Sequence, residues 1–490
     1  MRLLARLFPA AIAVSLTVAS GAVSAQTELP DIGNPAAAAI TVDEERQIGE
    51  MITKQLRDQG KIIDDPEVDE YVQSLGMRLA SQATDPATRH FQYFTVREPG
   101  INAFAIFGGD IFCNYGTILA SGNESELASV LAHETAHVTQ RHLARAVNAQ
   151  SKQGIEQAAT ILGAILIGVL AGGSGQAMEG MVAAAEGAAI QQQINFTRAQ
   201  EYEADRVGIG FLAAAGFDPN AMANFFEQMS RREGLNDAWV PEMLRDHPVT
   251  GNRVAEARAR AAQYERRKPV QSVGYALIKE RLRVITTPRE ELVHLYTDIG
   301  AEHEPELDKS YGQALTLMAI GRPAAAVSTL EPLVAHHQGN TLLYAALGQA
   351  QMAAKEPKEG LATFEMALEL FPRNVPLSIR YAEALMSAGR AREAHLVLLD
   401  LFNNTEPTPP QIRLTAMAAS AAGDTGDSYY YMALYDLANG DLTLSAHQLQ
   451  LALAAPNLTV VQKERYQAQL DEIRDFLAQA RMQRASNNQP

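Results

Sequence analysis

The chain has 490 residues, 47% of them hydrophobic, and 57 Asp and Glu against 41 Lys and Arg give a formal net charge of −16. That length calls for at least two domains, and so acidic a surface argues against nucleic acid or anionic lipid as the main partner. Cys113 is the only cysteine, which excludes an intramolecular disulfide and leaves stability to burial.

Met1 to Ala25 carries Arg2 and Arg6, an apolar stretch from Leu7 to Val18, and the small residues Val23-Ser24-Ala25 before Gln26. This is the pattern of a secretory signal peptide, with cleavage expected after Ala25. An uncleaved anchor is the rival reading, but the apolar stretch is short and a cleavage site follows it. No cysteine follows the site, so a lipoprotein anchor is not indicated. Removing the two arginines takes Lys+Arg from 41 to 39 and the net charge to about −18.

Between Ile101 and Gly116, alternating apolar residues broken by Gly108-Gly109 predict a β-hairpin. Residues 124 to 145 contain neither Gly nor Pro, and Leu127, Val130, Leu131 and Val138 form an apolar stripe, which predicts one helix ending near Arg141 and Arg145. Inside it lies His133-Glu134-Thr135-Ala136-His137. Histidines four apart share a helix face and can converge on one metal ion, while a Glu directly after the first lies beside that ion, where it can take a proton from water. Two histidines leave a catalytic zinc site needing a third protein ligand. His142 stands five residues after His137, the wrong spacing for a metzincin, and is read as an exposed helix residue.

Gln157 to Met178 carries no charge, and its apolar core 158–171 falls short of a bilayer span. It is either a buried helix or an apolar lid touching membrane or an unfolded client. A further helix is predicted from Arg198 to about Ala215, ended by Gly216 and Asp218-Pro219. Glu201 and Asp205 share one face of it, whereas Glu203 lies about 200° around from Glu201 and cannot face the same ion. Glu201 suits a metal ligand, and Asp205 suits the free N–H of a metal-bound histidine. The alternative is a solvated acidic face.

HExxH followed by Glu201-Tyr202-Glu203-Ala204-Asp205 resembles metallopeptidase family 48, the gluzincin family of the HtpX and CAAX prenyl proteases. The resemblance implies one Zn2+ per chain held by His133, His137 and Glu201, with Glu134 as base and Asp205 bracing a ligand. The segment Asn102-Ala103-Phe104 with Gly108-Gly109 also looks like this family's, which implies an edge strand that aligns extended substrate; packing the core is the alternative. Asp246-His247-Pro248 in the loop Leu235 to Gly251, followed by Arg253, resembles a further family feature. It implies that His247 occupies the open zinc position or meets the oxyanion with help from Arg253; a surface-loop histidine is the alternative.

From about residue 300 a 34-residue period takes over: Ala326, Gly360 and Ala394 recur, as do Gly321, Lys355 and Gly389, the tetratricopeptide spacing. Copies are predicted at 307–340, 341–374 and 375–408. The stretch from Thr408 to Asp427 reads as out of step, because Gly389 and Gly440 are one and a half periods apart. A half repeat is expected there, then a degenerate copy from Ser428 to Pro456 and a capping helix from Val460 to Ala480. Stacked helical hairpins form a concave surface suited to an extended peptide or a partner protein.

The sequence thus predicts a mainly α chain: a signal peptide over 1–25, a mostly helical HExxH zinc-metallopeptidase domain with a small β-sheet over 26–300, a tetratricopeptide α-solenoid over 301–485 and a disordered tail over 486–490. Export with one cysteine, together with the resemblance, implies a bacterial periplasm. The resemblance further implies an endopeptidase acting on unfolded or misfolded outer-membrane proteins, whose repeat groove docks client or outer-membrane assembly machinery, with peripheral membrane contact through 158–171. A chaperone or scaffold with a mainly structural zinc is the rival, and Glu134 argues against it, since a structural site needs no base.

Overall fold

A computed structural model describes residues 40–83, 90–151, 198–233, 247, 249–296 and 306–487. The expected signal peptide, the 158–171 segment, Asp246, Pro248 and the expected domain junction lie outside the described residues.

The first domain opens with α1 (Val42–Asp58) and α2 (Pro66–Ala80), each started by a capping side chain, Thr41 and Asp65. Three short strands follow: β1 (Gln92–Val96), β2 (Ala103–Ala105) and β3 (Asp110–Asn114), in the order β1-β3-β2. β2 and β3 form the expected antiparallel hairpin, turning at Phe107–Gly109. β1, which has no hairpin signal, pairs parallel with β3. Phe94, Phe112 and Phe104 stand opposite one another on the three strands and stack at 5.0 and 5.1 Å, which fixes the register. β2 is an edge strand, and among the described residues no strand pairs with its outer side.

After α3 (Tyr115–Ala120), the Asn123 side chain accepts from Glu126 N at 3.1 Å and starts α4 (Glu124–Thr139). The apolar stripe suggests a half-exposed helix, but α4 is buried on nearly every side. Glu124, expected merely to favour the helix dipole, is buried and accepts from Tyr71 Oη at 2.8 Å and Ser272 Oγ at 2.8 Å. The helix also stops earlier than predicted. Gln140 N still bonds Ala136 O, but Arg141 takes φ +50°, and α5 (His142–Ser151) starts in a new direction. Arg141 is held in that conformation by donating to Ile40 O at 3.1 Å and to Glu45.

α6 (Arg198–Ala214) packs along α4. A Cβ on Gly208 would stand 3.1 Å from the Ala132 carbonyl, so the glycine lets the two backbones approach. α7 (Ala221–Glu233), α8 (Gly251–Ala261) and α9 (Val273–Thr286) enclose this pair in one apolar core running from Ile63 to Leu282. A short α10 (Arg289–Leu292) follows.

The repeats begin with the pairs α11 (Leu307–Ala319) and α12 (Pro323–His336), α13 (Thr341–Ala353) and α14 (Pro357–Leu370), and α15 (Val375–Ser387) and α16 (Ala391–Phe402). These are the three predicted copies. Phe364 packs on Gly348, where a Cβ would stand 2.5 Å from the ring. α17 (Pro409–Ala421) and α18 (Thr425–Ala438) start one period after α15 and α16, and α19 (Leu442–Leu453) and α20 (Val460–Asn487) follow. Gly321, Lys355, Gly389 and Gly423, 34 residues apart, all take positive φ at the tight turn inside a hairpin, and Gly440 makes the same turn half a period later, its N–H bonding Leu437 O as the Gly389 N–H bonds Met386 O. Tight turns therefore join α18 to both α17 and α19, and the expected extra helix accounts for the one and a half periods between Gly389 and Gly440. α20 also runs past Ala480 into the expected tail.

The solenoid rests on the first domain. Arg380 on α15 donates to Glu67 at 2.9 and 2.7 Å and to Asp65 at 3.2 Å, and Arg281 on α9 binds the same two carboxylates. Asn374 donates to Glu70 at 3.0 Å.

Candidate metal centre

α4 presents His133 and His137 one turn apart on the side facing α6, and α6 presents Glu201 toward them. His133 Nε2 and His137 Nε2 are 3.0 Å apart, and each lies 3.5 Å from a Glu201 carboxylate oxygen. His247, expected at a loop surface as the alternative to a site role, is buried; its Nδ1 is 3.0 Å from Glu201 Oε1 and 3.4 Å from His133 Nε2. Four donors on a tetrahedron with zinc distances of about 2.0–2.1 Å stand about 3.3 Å apart. The observed separations fit that shape, and His133, His137, Glu201 and His247 together are able to hold a metal ion, consistent with zinc. Glu134 is buried beside this cluster, with His247 Nε2 3.7 Å from its Oε1.

The surrounding charges are set by the same elements. Asp205 Oδ1 stands 3.0 Å from His133 Nδ1, the contact expected of it. Arg253 donates from Nε and Nη2 to Asp205, both at 2.8 Å, and its Nη1 is 2.9 Å from Glu201 Oε2. Its guanidinium also lies 4.9 Å from the Phe226 ring. Arg253 is therefore committed to the two carboxylates of α6. Burial works against charge on Glu201 and Asp205, but the neighbouring His247, His133 and Arg253 hold both below the ordinary carboxylate range. Burial likewise opposes charge on His133, yet Asp205 and Glu201 lift it to about 10, while burial pushes His137 well down. Glu134, on the α4 side nearest Ala105 of β2, has its pKa raised by burial. A pocket lined by Ala105, Phe107, Gly109, His137, Val138 and Arg141 opens between β2 and α4.

His142 is the residue that the sequence placed elsewhere. On an unbroken helix, position i+5 lies about 140° from His137. The turn at Arg141 swings His142 back, and its Nδ1 stands 2.9 Å from His137 Nδ1, fully buried. Glu203, which faces away from Glu201 as predicted, approaches His142 Nε2 at 3.2 Å. No breaker residue signals the turn; only the contacts of Arg141 with Ile40 and Glu45 select it.

The family model for peptidase family M48 matches residues 66–261, and one for the tetratricopeptide repeat matches 351–418. The chain is 32% identical over 471 residues to the Beta-barrel assembly-enhancing protease of Escherichia coli K12, covering 95% of each. The chain belongs to peptidase family M48. The Vibrio cholerae protein named Putative beta-barrel assembly-enhancing protease is 34% identical over 76% of each chain. The Mitochondrial metalloendopeptidase OMA1 of Schizosaccharomyces pombe is 32% identical over 29% of this chain and 39% of its own. That third match falls on a segment of 144 residues, whereas the first spans both domains. The expected class of zinc metalloendopeptidase holds, as does the mainly α architecture of peptidase domain and repeats.

Proposed function

We propose that this chain is a periplasmic endopeptidase that cleaves unfolded or misfolded outer-membrane proteins and that its repeats dock the client or the outer-membrane assembly machinery. The observation that carries the reading is the convergence of His133, His137 and Glu201 beside the buried carboxylate of Glu134, next to the edge strand β2. Relatives named for enhancing β-barrel assembly, alike over both domains, support the client class.

In this reading His133, His137 and Glu201 hold the zinc, and Asp205 fixes the ring of His133 through Nδ1. Bound zinc supplies Lewis-acid polarisation of the scissile carbonyl and lowers the pKa of water toward neutrality. Substrate main chain pairs along the outer side of β2, which lays an extended peptide across α4. Glu134 takes a proton from the attacking water and returns it to the leaving amine. Its burial raises its pKa, which favours taking up that proton. His247 in its present position fills the place that water needs, so it acts as a latch and must swing away before hydrolysis. Once released it is free to donate to the oxyanion, while Arg253 stays on Asp205 and Glu201.

The test is degradation of an unfolded outer-membrane protein by the mature chain and its His247→Ala variant, with zinc content measured in both. Cleavage that is faster in the variant at equal zinc supports peptidase and latch together. A client left intact by both zinc-loaded proteins, while its aggregation is suppressed, replaces the peptidase reading with a chaperone.

A further inference from the structure

Three of the four groups around the centre have a visible brace. Asp205 faces His133, Arg253 faces Glu201, and Glu201 faces His247. His137 has a different and longer support, which starts on α5 and ends at the surface. His142 Nδ1 is 2.9 Å from His137 Nδ1, with the two rings nearly perpendicular at 81°. His142 Nε2 is 3.2 Å from Glu203 Oε2, and Arg145 Nη1 donates to that same oxygen at 2.9 Å. His142 is fully buried, whereas the Glu203 side chain is 26% and the Arg145 side chain 44% exposed.

The proton count along this row has one solution. A neutral histidine that offers Nε2 to a metal carries its proton on Nδ1. His137 therefore donates, and His142 Nδ1 accepts. His142 then carries its own proton on Nε2, which is the atom facing the Glu203 carboxylate. Glu203 in turn is held by Arg145. Every donor meets an acceptor, and each tautomer is set by the next residue outward.

We propose that His142, backed by Glu203 and Arg145, is a positioning residue for the metal: it fixes the ring orientation and tautomer of His137 as Asp205 does for His133. The inference rests on the ligand assignment of the preceding section and adds His142 and Arg145, outside both sequence motifs, and Glu203, a position within the second motif that had no role there. It also gives the Arg141 turn a purpose, because a straight α4 would carry His142 away from His137.

The experiment is zinc affinity by competition with a chromophoric chelator, on the full mature chain and on His142→Phe, His142→Asn and Glu203→Ala. Asn places its side-chain oxygen near the position of the histidine Nδ1, so it keeps the acceptor; Phe keeps the volume and loses it. Loss of such a partner lowers metal affinity by about 10- to 100-fold. We expect that loss in His142→Phe, affinity within about threefold of wild type in His142→Asn, and an intermediate loss in Glu203→Ala. The visible bands of the Co2+-loaded protein should shift in His142→Phe and return in His142→Asn. Wild-type affinity in His142→Phe, or equal losses in Phe and Asn, overturns the proposal. If His142→Phe does not fold, Glu203→Ala at the exposed end decides it: a loss of threefold or more supports the relay, and unchanged affinity overturns it. Failure of the wild type itself to bind zinc overturns instead the ligand assignment beneath it.

Discussion

Replacing Arg380 by Ala removes three charge-assisted bonds between the solenoid and the first domain: two to Glu67 at 2.9 and 2.7 Å, and one to Asp65 at 3.2 Å. The Glu67 side chain is fully buried and that of Asp65 is 13% exposed, so water offers little replacement. Breaking a buried pair costs about 3–5 kcal/mol. Arg281 stays on both carboxylates, at 2.6 and 2.7 Å to Asp65 and 2.9 Å to Glu67, which reduces the expected loss to about 2–3 kcal/mol. Arg373→Ala is the control, because its pair with Asp400 is more than half exposed on both sides and such pairs contribute about 0.2–1 kcal/mol. The assay is amide hydrogen exchange in α2 and α15 together with denaturant unfolding. Acid adds a second reading. Burial opposes the charge on Asp65, but Arg281 and Arg380 bring its pKa from 3.8 to about 2. A lowered carboxyl pKa contributes stability above the unfolded value, here about 2 kcal/mol, which is lost as pH falls from about 4 through 2. In Arg380→Ala the acid transition should therefore begin at higher pH. If Arg380→Ala behaves like Arg373→Ala in exchange, unfolding and acid response, the network does not hold the domains together.

Asp110, buried and accepting from Thr53 Oγ1 at 2.5 Å, has its pKa pushed up to about 6 by burial. Its neutral form is favoured in the fold, so its contribution is present below pH 4 and lost as pH rises through 6. Asp110→Asn should flatten the stability profile over that window, by up to about 3 kcal/mol in urea unfolding, and an unchanged slope would refute this. Asp205→Asn should lower zinc affinity about 10- to 100-fold by chelator competition, because the amide can present its N–H2 to His133 in place of an acceptor; unchanged affinity would show that Asp205 does not set that ring. Gly208→Ala should cost about 1–3 kcal/mol by forcing α6 away from Ala132, and should weaken zinc binding with it. Unaltered unfolding would mean that α4 and α6 have room to spare.

Spacing made the core of the site readable. The four-residue intervals between His133 and His137 and between Glu201 and Asp205 put each pair on one helix face, and the structure brings the two faces together. The hairpin around Gly108-Gly109 and the first three repeats follow from equally local patterns. What escaped was set by distant partners. Arg141 leaves the helix because of Ile40 and Glu45, nearly a hundred residues earlier, and only then does His142 reach His137. β1 pairs parallel, a partnership that no turn sequence announces. The bonds of Arg253 to Asp205 and Glu201 depend on how α8 meets α6, which no local pattern announces. The extra helix after residue 408 was legible in the one and a half periods from Gly389 to Gly440, and the like turns at Gly423 and Gly440 bear it out.

The hydrolytic mechanism turns on Glu134. The decisive measurement is cleavage of an unfolded protein substrate by wild type and Glu134→Gln, with zinc content determined on the same samples. Loss of a general base lowers the rate by about 10²- to 10⁴-fold, so Glu134→Gln should hold zinc as wild type does and cleave at no more than about a hundredth of its rate. A zinc-loaded Glu134→Gln that cleaves as fast as wild type would contradict the assignment of Glu134 and the hydrolytic mechanism built on it.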